Sequence, residues 1–295
     1  MNLQLSSALG ENYKSNSQIA RVVTEEWGAQ NLYCPACDSN RVEQAPTNTR
    51  AIDFTCPECC QLYQLKSSRN WNENRVVDAG YRAMIAAIRS ENIPNLLVLQ
   101  YSPAWHVQNI LLVPYFFITE SAIEKRKPLG EHARRKGWVG CNILLHEIPP
   151  DGKLKMVSDG IEADAGEIRK QFHRIKPLAD LGVQFRGWTL DVLKAIRRLN
   201  KTDFSLSDVY QCEAELAAMH PGNRNVRPKI RQQLQVLRDL GFINFTNRGH
   251  YSLSLVTEQR MVRDRTRDQN LREVRPLSLA FGAGFAAAQE EAIDR

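Results

Sequence analysis

Apolar residues recur along this chain with two periods, and the changes of period mark out its elements. Ile19, Val22, Val23 and Trp27 fall at steps of three and four, which predicts a helix from position 17. The stretch 1–12 before it shows no period and reads as a loose lead-in. Residues 49–55 and 61–66 read as neighbouring short strands. Alternation in the second puts Leu62, Gln64 and Lys66 on one face, with Tyr63 and Leu65 on the other. A helix over 78–91 follows, its buried stripe being Tyr81, Met84, Ile85 and Ile88. The runs 96–101 and 109–113 are apolar throughout, as strands covered on both faces must be. Helix, strands, helix, strands predicts an α/β domain built on a mixed sheet.

The pattern changes after a boundary placed at 177–186. A helix over 189–199 turns Val192, Leu193, Ile196 and Leu199 inward, and a second carries Val209, Cys212, Leu216 and Met219. A third is capped by Asn225, accepts Pro228 in its first turn, buries Ile230, Leu234 and Leu237, and stops at Gly241. Residues 242–245 and 251–253 alternate around Asn247-Arg248-Gly249, a hairpin turn. Three helices closed by a hairpin predict a winged helix, dominated by its helices. The chain thus divides into an α/β domain over 1–182, a winged helix over 183–256 and a tail over 257–295. That tail is charged, then Ala-rich, and reads as disordered or as one loose helix.

Composition adds a class and a partner. A hydrophobic content of 43% with five tryptophans specifies a globular core, and a net charge of +6 suits a polyanionic partner. No apolar run approaches membrane-spanning length, and 1–10 lacks the regions of a signal peptide. Seven cysteines without an export signal point to a reducing, cytoplasmic setting in which thiolates bind metal rather than pair. No membrane and no protein partner is implied.

The chemistry begins with Cys34-x2-Cys37, eighteen residues, then Cys56-x2-Cys59. Two knuckles at this separation read as a four-thiolate zinc site, closed to water and therefore structural. Cys60 stands beside Cys59 as a rival fourth ligand, although only Cys59 keeps the spacing. Asp53 precedes the second knuckle and Gln64-Leu65-Lys66 follows it, an acid and a polar-x-Lys triplet on adjacent strands. Phosphodiester hydrolysis needs a hard cation, a positioned water and charge neutralisation. Asp53 and the Gln64 carbonyl supply oxygens for Mg(II), and Lys66 supplies the charge. On spacing alone, an ordinary strand pair with Lys66 in solvent is the commoner case.

The third helix of the second domain presents Arg227, Lys229, Arg231, Gln232, Gln235 and Arg238 opposite its apolar stripe. Arg and Gln read base edges in a major groove, while Lys and Arg neutralise phosphates. Arg248 at the wing tip reaches for the backbone or minor groove. A solvated basic face is the commoner fate of such a stripe, and the winged-helix context favours DNA. Trp138 follows a basic run and lies between Gly137 and Gly140, which permit close approach of a backbone. His106 and His132 read as structural or surface residues.

Taken together, residues 13–18, the two knuckles, Asp53, Leu65-Lys66-Ser67, Arg134-Arg135-Lys136-Gly137-Trp138 and 231–239 resemble the DpnI family of methyl-directed type II restriction endonucleases. The resemblance spans about 11–253. It implies a PD-(D/E)XK nuclease domain followed by a winged helix, each binding duplex DNA with N6-methyladenine in GATC, and Mg(II)-dependent cleavage. It assigns Asp53, Gln64 and Lys66 to catalysis, Arg134 and Arg135 to the DNA surface, and Trp138 to the adenine methyl groups. Two positions depart from the pattern: Ile52 replaces a proline, and Gln64 stands where the family has glutamate. The lost charge weakens the Mg(II) site unless another acid, Glu25, Glu26 or Glu73, compensates. The competing reading is a non-catalytic methyl-DNA binding protein or regulator with a degenerate core.

Overall fold

The chain does not begin loosely. In the computed structural model, which describes residues 1–46, 49 and 51–254, Leu3 and Leu5 pair with the loop at 105–107: Leu5 N–H donates to Trp105 O and Val107 N–H to Leu3 O. Leu5 is buried. The alternation Leu3, Leu5 is too short to register as a strand, which is why the lead-in escapes a periodicity argument. Helix α1 (Asn16–Asn31) then buries Val23 and Trp27, and the Trp27 indole N–H donates to Asn2 O.

Two short strands, β1 (Glu43–Gln44) and β2 (Phe54–Thr55), lead into β3 (Leu62–Ser68). The strand expected over 49–55 is thus only its last two residues. Ala51 has φ of 59°, a left-handed backbone that interrupts any strand there. A larger difference follows. The helix expected from 78 begins only at Tyr81, because β4 (Arg75–Gly80) comes first and α2 (Tyr81–Arg89) starts after Gly80. Val76-Val77 favours strand, and the exposed Val77 hides the alternation. Asp78 is therefore a strand residue.

Strands β5 (Asn95–Tyr101) and β6 (Val107–Val113) form the middle of the sheet. Leu96, Leu97, Val98 and Leu99 are all buried, each such side chain contributing about 1.5–3 kcal/mol. Beyond them come β7 (Ile123–Lys125), β8 (Gly140–Leu144), β9 (Leu154–Ser158), β10 (Ile161–Glu162) and α3 (Ala165–Ile175). The main sheet runs β1-β2-β3-β5-β6-β9-β10, and a smaller one runs β4-β8-β7. Only β3 and β5 are parallel there, with Gln64 opposite Leu96 and Lys66 opposite Val98. This is the expected mixed sheet.

The second domain opens with α4 (Val183–Arg198), six residues earlier than its apolar periodicity indicates. Strand β11 (Asp203–Ser205), α5 (Leu206–Tyr210), α6 (Glu213–Met219) and α7 (Val226–Asp239) follow. The single helix expected over Val209 to Met219 is two, broken at Cys212, whose apolar steps continue across the joint. Asn225 occupies the N-cap of α7 without a side-chain capping bond. Strands β12 (Ile243–Asn247) and β13 (His250–Leu253) complete a three-stranded sheet in the order β11-β13-β12, a winged helix. The reading of 257–295 lies outside the described residues. Among those described, no helix is long and apolar enough to cross a membrane.

Helix α4 carries an unusual load of buried polar groups, and their partners explain it. Asp191 accepts from Ser121 Oγ at 2.8 Å, Lys194 pairs with Glu147, and Arg186 meets Glu91 at 2.8 Å. Arg197 binds Asp151 in bidentate fashion, Nε to Oδ2 at 2.8 Å, with the Asp151 side chain only 3% exposed. These bonds seat the winged helix on the α/β domain. Arg197→Met, leaving Asp151 buried and unpaired, is expected to cost about 3–5 kcal/mol in denaturant titration, whereas adding Asp151→Leu restores most of it.

Candidate active site and metal cluster

The turn between β2 and β3 is the second Cys knuckle. Cys34, Cys37, Cys56 and Cys59 place their sulfurs all within 4.8 Å of one another. Cys34 and Cys59 are 3.5 Å apart, and Cys37 and Cys56 3.6 Å. A tetrahedron with zinc–sulfur bonds of about 2.3 Å has edges of about 3.8 Å, so the cluster has the size that zinc requires. Cys60 is exposed, turned away by its own positive φ of 59°. The cluster can hold a metal ion, and its donor set suits zinc.

The surroundings act on the thiols in opposite directions. Burial pushes the Cys34 thiol up to about 11. Burial also raises Cys56, but the N–H groups of Cys59 and Glu58 more than offset it and bring that thiol down to about 7. Tyr63 Oη lies 3.0 Å from Cys34 Sγ and donates to it once the sulfur is a thiolate. Tyr63 is fully buried on β3 between Leu62 and Gln64. Arg169 on α3 grips the first knuckle, donating from Nε to Cys34 O at 3.2 Å and from Nη2 to Ser39 O at 2.9 Å. Its guanidinium also lies over the Tyr33 ring.

The knuckle therefore fixes the hairpin that carries Asp53, Gln64 and Lys66. All three line one cleft of about 950 Å³, together with Arg21 and Glu25 of α1. Asp53 precedes β2; its N–H donates to Tyr63 O at 2.9 Å, and its Oδ2 accepts the Leu65 N–H at 2.7 Å. Burial raises the Asp53 carboxyl above its ordinary range, opposed by the Leu65 N–H and by the Lys66 and Arg21 charges. Burial raises Glu25 likewise, against its ion pair with Arg21 at 2.7 Å. Thr24 Oγ1 donates to Ser67 Oγ at 3.0 Å, tying α1 to β3. Of the three acids named as substitutes for the charge missing at Gln64, Glu25 lines the cleft; Glu26 accepts from Gln30 and Glu73 from the Trp71 indole.

Asp78 was hidden by its assignment to a helix. Its side chain is 2% exposed and meets Lys66 Nζ at 2.7 Å. The Gln64 amide is satisfied at both ends when its nitrogen donates to Asp78 Oδ2 at 3.3 Å and its oxygen accepts from Lys66 Nζ at 3.1 Å. Two residues further along β4, the Trp138 ring packs over Gly80 and Gly140. A Cβ at Gly140 would stand 2.8 Å from the indole and push the ring from its present seat. The Arg135 guanidinium covers the ring at 4.5 Å, while Arg134 is exposed.

On α7, Arg227, Arg231, Gln232, Gln235 and Arg238 are exposed along one face, and Arg248 is exposed at the wing tip. Several are already tethered: Arg227 to Glu213, Arg231 to Tyr210 Oη at 2.7 Å, Arg238 to Asp239. Lys229 turns aside, its ammonium 4.5 Å from the centre of the Phe185 ring, where burial lowers its pKa.

Removing one sulfur tests the cluster. Cys37→Ser is expected to lose bound zinc by metal analysis and to unfold the α/β domain, because binding free energy at such sites is folding free energy. A folded, metal-free Cys37→Ser chain would leave the cluster without a structural role.

Two family models match this chain in the order of its domains. Residues 1–181 match the Dam-replacing family, DpnI. Residues 184–253 match the Dam-replacing HTH domain, the helix-turn-helix counterpart of the winged helix. With more than half its length matched, this chain belongs to the DpnI, Dam-replacing family.

Proposed function

We propose that this chain is a site-specific endonuclease that hydrolyses double-stranded DNA at N6-adenine-methylated GATC sites. The observation that carries the reading is Asp53, Gln64 and Lys66 converging in one cleft within a family matched over both domains. Asp53 and the Gln64 carbonyl are an all-oxygen donor set of the kind a hard cation takes. When bound, Mg(II) supplies Lewis-acid polarisation of a phosphate oxygen and an acidified water. Lys66 places a positive charge where the phosphate gains negative charge in the transition state. The four sulfurs hold structural zinc. Trp138 is the residue assigned to the adenine methyl groups, which must displace the Arg135 guanidinium to reach the indole face it covers. The α7 face reads bases, with Arg134 and Arg248 on phosphates.

One observation favours a second reading. With its amide turned so that both ends are satisfied, the Gln64 oxygen accepts from Lys66, and a cation must displace that bond. A chain in which this exchange fails would bind methylated DNA without cutting it.

Cleavage of one plasmid, prepared with and without GATC methylation, in Mg(II) or EDTA, separates the two. Mg(II)-dependent fragments from the methylated plasmid alone are expected, and Lys66→Ala should abolish them while gel-shift binding persists. Methyl-selective binding with no cutting would install the second reading.

Trp138→Ala tests the methyl contact. A buried methyl is worth about 0.8 kcal/mol, so losing two should reduce methyl discrimination about tenfold. Undiminished discrimination would move methyl recognition to the winged helix.

A further inference from the structure

We infer that Asp78 is the positioning residue for Lys66 and Gln64, an inference that rests on the nuclease reading above. Lysine carries four rotatable bonds, and fixing one such side chain costs about 1.5–2 kcal/mol of rotamer freedom. A charge that must meet a developing phosphate charge loses most of its effect if it wanders. Lys66 is 29% exposed at its side chain, so one side faces the cleft, while its ammonium is anchored from below by a carboxylate 2.7 Å away and 2% exposed.

The same carboxylate sets the Gln64 amide. Asp78 can accept from the amide nitrogen at 3.3 Å, which turns the Gln64 oxygen toward Lys66. A glutamate at 64 would instead bring a second carboxylate against a buried one, a like-charge contact that Gln64 removes. Asp78 lies on β4, which pairs with β8 at Cys141, so it belongs to the small sheet and reaches across to β3 of the large one. It is absent from the cleft lining, so it acts through Lys66 and Gln64 rather than on substrate.

The test uses the full chain with Asp78→Asn and Asp78→Glu. Single-turnover cleavage of methylated duplex is read beside duplex affinity, zinc content and acetic anhydride labelling of Lys66 by mass spectrometry. Asp78→Asn is expected to slow cleavage about tenfold or more with affinity unchanged, and to make Lys66 label faster. Asp78→Glu, keeping the charge, should restore slow labelling and most of the rate. Unchanged cleavage and labelling in Asp78→Asn overturns the proposal. So does loss of fold and zinc in Asp78→Asn, or an Asp78→Glu chain no better than Asp78→Asn, since Asp78 would then be structural. If the unsubstituted chain does not cut, the nuclease reading falls by itself, and Lys66 labelling alone decides the role of Asp78.

Discussion

Everything at the candidate site hangs on a hairpin that could not stand alone. Strand β2 is two residues long, and a short two-stranded ribbon is at best marginal in water. Its turn is the second Cys knuckle, held to the first by the four-sulfur cluster. At the other end, the Asp53 carboxylate accepts the Leu65 N–H and ties the strands again. A cation closing the sulfurs would therefore brace the strands that carry Asp53 and Lys66. Tyr63 makes the link short: its hydroxyl reaches Cys34, and the next residue in the chain is Gln64.

The second constraint is the seating of α4. A winged helix on a flexible tether would present an all-polar outer face on its first helix. Here Arg186, Asp191, Lys194 and Arg197 are drawn inward instead, each with a partner in the α/β domain. Burying ions this way brings little net stability, since desolvation consumes most of the attraction. Geometric definition is what such pairs supply: they work in one arrangement only. The Asp191 carboxylate also holds His220, stacked on Trp188, at the turn that precedes α7. The contact between domains thus reaches the base of α7.

Legibility from sequence followed the strength of each local signal. The four cysteines and the mixed sheet were readable because ligand spacing and continuous apolar runs leave few alternatives. The α7 stripe was readable because Ile230, Leu234 and Leu237 keep strict helical steps. The rest failed for identifiable reasons. Strand β4 reads as the start of a helix because apolar Val77 points outward and charged Asp78 inward, which disguises an intact alternation. Strands β8 and β9 and helix α3 have no counterpart among the periodic segments. The start of α4 was missed because its first turns bury Arg186 rather than a hydrophobe. Charged residues that face inward defeat any argument from polarity, and here they cluster at the candidate site and along the docking face of α4.

Arg169 illustrates a different economy. Its bonds to the first knuckle go to the carbonyls of Cys34, Asp38 and Ser39, not to their side chains, apart from one to Asn40. A grip on main-chain oxygens is blind to the identity of what it holds. Asp38, exposed between the ligands and the strand, is free to drift through almost any residue while the loop keeps its shape. The cluster's form can persist in a lineage whose knuckle sequences no longer look alike, with the arginine as the part that must stay.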